Sequence, residues 1–177
     1  MPDSGPNPTG TLAVGTAARL ERVEGQILDV LEVIHAEAPN AEILLVGYPP
    51  LFIDGGACLA PLSDASAVWL NSVGSALETQ QIDAVLQAQN AGIPAHFVPV
   101  GGAFDGSGVC GDTPGITGIM PYVGTPSTGY GTTGELARLV NQPGLPVVGI
   151  SQQSLHPNNT GSTLMGDVAE QTLDTFY

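Results

Sequence analysis

The residues best suited to chemistry in this chain are Ser154-Leu155-His156-Pro157-Asn158, with Gly161 just beyond. Proline disfavours helical geometry at the residue before it, so His156 is expected to be extended, at a loop end ahead of a helical pattern. The positive end of that helix dipole would lie close by, which favours an uncharged imidazole. An uncharged histidine at a loop tip is suited to act as a general base. A turn histidine with no task fits the same residues.

Other reactive groups form no second constellation. His35, His96 and His156 are far apart and lack metal-ligand spacing, so no metal site is expected. The glycine-rich run from Gly124 to Gly134 has no lysine and follows no predicted strand, so it does not read as a phosphate cradle. Asp105 and Asp112 flank a Gly-rich loop and read as solvated, while Glu135 belongs in the first turn of a short helix, where a carboxylate is favoured. No constrained carboxylate pair results. Two cysteines, Cys58 and Cys110, decide nothing by count and read as small buried hydrophobes.

Charge narrows the partners. There are 17 acidic residues against three arginines (Arg19, Arg22, Arg138) and no lysine, giving a formal net charge of -14. Nucleic acid is excluded as a partner, because phosphate binding needs clustered cations. An anionic membrane surface is disfavoured for the same reason. No uninterrupted apolar run approaches the ~18 residues of a membrane span. Met1-Pro2-Asp3-Ser4-Gly5 is polar and has no cationic start, so no signal peptide is read there.

The 177 residues suffice for one domain with a real core. Residues 1–16 lack periodicity and are expected to form a flexible leading segment, with the domain running over 17–177. From Ala17, the residues Leu20, Val23, Ile27, Val30, Leu31 and Ile34 recur at helical spacing until Pro39 stops them. Residues 42–47 then read as a strand buried on both faces. Ser63 or Asp64 caps a second helix, whose expected buried stripe is Val68, Trp69, Val73, Leu77, Ile82, Val85 and Leu86. Gly92 closes it as a left-handed cap, and residues 93–100 form the next strand.

Helix and strand in alternation predict a parallel sheet. About fifty irregular residues follow, broken by a short helix over 135–140 and an extended piece at 147–150. The last helix, over 161–176, places Leu164, Val168 and Leu173 on one side. Trp69, Phe97 and Phe104 are most simply core.

Several landmarks occur in a telling order: Gly47-Tyr48-Pro49 after a strand, Trp69-Leu70-Asn71 in a helix, and Ala103-Phe104-Asp105-Gly106 with Val109-Cys110 after the next strand. Ser154-Leu155-His156-Pro157-Asn158 comes last. From about Ala17 onward this resembles the C-terminal part of an SGNH (GDSL-type) hydrolase, of the secreted actinobacterial lipase and esterase branch. The resemblance implies an α/β fold, a flavodoxin-like three-layer α/β/α sandwich with a parallel sheet, here without its N-terminal strands. It implies carboxylic ester hydrolysis by a serine nucleophile, with His156 as general base and no cofactor.

Gln153 occupies the position of the family's acid, where the amide or its backbone carbonyl would orient the ring. The resemblance also implies a Cys58–Cys110 disulfide, secretion, and an ester or lipid substrate; Tyr122 and Tyr130, by their place in the loop-rich segment, are available to an acyl pocket. The family's Gly-Asp-Ser nucleophile block has no counterpart. Asp3-Ser4-Gly5 is a faint echo lacking the glycine and the strand, so no nucleophile is identified. The chain alone is therefore expected to be inactive, with a complementing chain or self-association covering the open sheet. The alternatives are a non-catalytic binding module on a degenerate hydrolase scaffold, or an incomplete fragment.

Overall fold

The structure, a computed structural model, describes residues 11–53, 63–118, 121–124, 147–150 and 154–176. For residues 11–14, 121–124 and 147–150 it describes the backbone alone. The described elements are α1 (Thr11–Glu37), β1 (Ile43–Val46), α2 (Asp64–Asn90), β2 (Ala95–Val98), a 3-10 turn (Gly101–Phe104), β3 (Pro121–Gly124), β4 (Val147–Ile150) and α3 (Asn159–Leu173).

The helix ends follow from side-chain chemistry. The Ser63 hydroxyl accepts from the Ser66 amide at 3.2 Å and opens α2, satisfying a donor with no partner inside the helix. Just past its end, Gly92 takes φ 84°, a left-handed position open to glycine at little steric cost. At α3, the Asn158 side chain accepts from the Gly161 amide at 3.1 Å. Helix α1 begins at Thr11, earlier than apolar spacing alone places it.

Strands β1 and β2 pair in parallel, with Ile43 opposite Ala95 and Val46 opposite Val98, as the alternating pattern predicts. Side chains alternate across a strand, so Ile43 and Leu45 share a face with Ala95 and Phe97. That face packs on Leu31 of α1 and on Val85 and Ala88 of α2. Helix α3 lies on the opposite face, where Phe176 covers His96 with ring centroids 4.0 Å apart. The result is α/β, with helices on both sides of a parallel pair. Strands β3 and β4 form a separate antiparallel pair; the extended piece at 147–150 was expected, and β3 was not.

Two expectations about burial change. In α2 the buried residues are Ala67, Gln81, Ala84, Val85 and Ala88, while Val68 is 63% exposed and Leu86 is 50% exposed. The helix turns its small residues inward, and this lets α1 and the sheet approach closely. Strand β1 is also only half-covered: Ile43 is buried, and Leu44, Leu45 and Val46 are partly accessible. Its outer edge has no partner among the described residues. Beside it runs a groove of about 330 Å³, lined by Val23, Ile27, Val30 and Ile34 of α1 and by Ile43 and Leu45.

Candidate active site

Ligand sites of open parallel sheets lie beyond the carboxyl ends of the strands. In this chain that end is built by the segment after β1, the segment after β2, and the loop before α3. Their shared apolar cluster contains Phe52, Ala67, Phe104, Val109 and Ile116, with Leu155, Leu164 and Cys110 packed against it.

Polar bonds fix the loops over that cluster. The Asn71 carbonyl oxygen accepts from the Leu51 and Phe52 amides, both at 3.1 Å, and its NH2 donates to the Phe52 carbonyl at 2.8 Å. A single side chain on α2 thus pairs three backbone groups of the segment after β1. The Val109 amide donates to the Leu51 carbonyl at 2.8 Å, tying in the loop after β2.

The segment around His156 is held from beneath. Thr117 donates its amide to the His156 carbonyl at 2.8 Å and accepts from the Leu155 amide at 2.9 Å. Asn158 donates its backbone amide to the Gly115 carbonyl at 2.9 Å and its side-chain NH2 to the Pro114 carbonyl at 2.8 Å. Gly115 and Gly161 meet backbone to backbone, and a Cβ on Gly161 would overlap the Gly115 carbonyl. Leu155 takes φ 61°, in the left-handed region that disfavours a side chain by roughly 1–2 kcal/mol. The surrounding bonds hold it there.

His156 is exposed and lies before α3. Its Nδ1 lies 3.2 Å from the Tyr48 hydroxyl, and that hydroxyl donates to the Leu155 carbonyl at 2.9 Å. The two rings meet edge to face. Burial pushes the Tyr48 phenol above its ordinary value near 10.0, so it stays protonated.

Of the residues expected at the site, His156 is in the described structure, as is Cys110, which is not a free thiol. Gln153, Cys58, Ser4, Tyr130 and the short helix over 135–140 lie outside the described residues. Tyr122 is in β3, described by its backbone alone. Asp105 and Asp112 are exposed, as expected. No group of metal-binding side chains forms among the described residues. Sequence reasoning assigned no task to Tyr48 or Asn71; their places directly after a strand and within a helix over its loop were the available signal.

No protein-family model and no curated protein matches the chain. Solved structures do. Phospholipase A1 from Streptomyces albidoflavus NA297 superposes with a TM-score of 0.61 at 18% identity, covering 87% of this chain and 52% of that one. An extracellular lipase from Streptomyces rimosus gives a TM-score of 0.60 at 20% identity, covering 87% and 53%. The chain has the fold of the matching half of these lipolytic enzymes. The likeness expected from the sequence, to secreted actinobacterial lipases, is thus present in three dimensions. The chain spans about half the length of the solved enzymes it matches.

Proposed function

We propose that this chain is the histidine-bearing half of a lipase-type carboxylic ester hydrolase. The observation that carries the reading is the exposed His156 ring, held through Nδ1 at the carboxyl end of a parallel strand pair. The likeness to a phospholipase and a lipase supports a lipid or other ester as substrate.

In this reading His156 takes the proton of a serine hydroxyl as its oxygen bonds to the ester carbonyl carbon. It returns that proton to the departing alcohol as the ester C–O bond breaks. Water, deprotonated by the same ring, then releases the acid. The nucleophile belongs to a Gly-Asp-Ser segment outside this chain, and the apolar groove beside β1 is the surface such a segment would cover. Burial of that groove supplies the driving force, at ~25 cal/mol per Å². A Cys58–Cys110 disulfide and secretion belong to the same reading. They are supported by the engaged state of Cys110 and by the extracellular origin of the rimosus lipase.

Fluorophosphonate labelling with ester turnover tests it. The 177-residue chain alone is expected to remain unlabelled. Joined to a Gly-Asp-Ser-bearing strand segment, it should label and hydrolyse short-chain esters, with loss of turnover in His156→Ala. Labelling of the chain alone at one of its own serines, or turnover unaffected by His156→Ala, overturns the reading. Ligand-induced stabilisation by an acyl ester, without turnover in the joined protein, would instead identify a binding module.

A further inference from the structure

We infer that Tyr48 is a positioning residue for His156, holding the imidazole in the tautomer that carries its proton on Nδ1 and leaves Nε2 free to accept one. The inference deepens the hydrolase reading and rests on it for its catalytic meaning, but its structural content stands apart.

It follows from counting hydrogens. A phenol has one O–H, and a backbone carbonyl can only accept. The Tyr48 hydroxyl lies 2.9 Å from the Leu155 carbonyl, so its hydrogen is committed there. Toward His156 Nδ1, at 3.2 Å, the oxygen offers a lone pair. The ring nitrogen facing it must then be the donor. A neutral imidazole carries one N–H, so Nε2 holds the lone pair. This is the tautomer a base needs when its outer nitrogen meets the substrate.

The alternative assignment fails on the same count. With the proton on Nε2, Nδ1 would need the Tyr48 hydrogen, and the Leu155 carbonyl would lose its donor. Leu155 is held in a left-handed conformation between Thr117 and Tyr48, so its carbonyl is not free to turn away. Burial keeps the phenol protonated, so the donor to Leu155 persists through neutral pH. When His156 becomes imidazolium, both ring nitrogens donate, and the bond to the Tyr48 oxygen is retained. Tyr48 thus orients the ring in both protonation states. As a neutral group, it lends the imidazolium less charge stabilisation than a carboxylate would.

The test is nitrogen NMR of the uniformly labelled 177-residue chain, with its imidazoles uncharged and without substrate. His35 and His96 serve as internal references, and His156→Gln assigns the third ring. In the wild-type chain, His156 is expected to show a protonated Nδ1 and an unprotonated Nε2. Tyr48→Phe keeps the aromatic ring and should shift the tautomer ratio toward Nε2–H by about fivefold, as expected for loss of one neutral hydrogen bond. A wild-type ring protonated on Nε2 overturns the inference, even if Tyr48→Phe does not fold. So does a folded Tyr48→Phe chain, with unchanged His35 and His96 signals, whose His156 ratio does not move. Turnover in the joined protein is read separately. Hydrolysis without the tautomer refutes this inference alone, and the tautomer without hydrolysis refutes the hydrolase reading alone.

Discussion

The two apolar clusters of this chain are held together by different means. One lies between α1, α2 and the parallel pair, and consists of Leu31, Ile43, Val85, Ala88, Ile93 and Ala95. It rests on side-chain packing between regular elements. The other, beneath His156, is covered by loops whose backbone groups are paired by Asn71, Thr117 and Asn158 and whose chains touch at bare glycines. The first tolerates an open groove along one side. The second leaves little room for change, because backbone meets backbone. Close backbone packing is concentrated beneath His156.

The largest break in this contrast should come from Gly161→Ala. Its Cβ has nowhere to go except into the Gly115 carbonyl, so a loss of about 3 kcal/mol is expected in urea unfolding. Asn71→Ala should follow, at about 2 kcal/mol, because two amides and a carbonyl lose their partner together. Both changes should also alter the amide spectrum around His156 more than that around β1.

On the helical side, Val85→Ala and Val68→Ala sharpen the comparison. Val85 is 3% exposed and Val68 is 63% exposed, so about 1–2 kcal/mol is expected for the first and less than about 0.5 for the second. Equal losses would restore the stripe that apolar spacing suggests.

The smallest effect concerns pH. The folded Tyr48 has a raised pKa, so the unfolded chain gives up this proton first as pH rises. Its contribution is complete below about pH 10 and is lost as pH climbs through the higher folded value. The alkaline limb of a stability curve should therefore be slightly shallower in Tyr48→Phe than in the wild type.

What could be read from the sequence divides along the same line. Ser63, Gly92 and the alternation of helix and strand were legible because caps and periodicity are local. On the inward face of α2 Val85 is buried as expected, whereas Ala84 and Ala88 carry little apolar signal, yet their smallness permits close packing. Strand β3 was missed because Pro121-Tyr122-Val123-Gly124 is short and gains its identity from pairing with β4. His156 stood out through the proline after it. Tyr48 did not, since its contact with His156 is made only by the fold.

The glycine contact beneath α3 has a mechanical consequence. Side chains can change rotamer and absorb a shift, but two backbones in direct touch cannot. The last helix therefore cannot tilt toward this contact without moving the Gly115 backbone, whose carbonyl accepts from the Asn158 amide. Helix and loop meet there as one rigid seam, and a residue larger than glycine on either side would separate them.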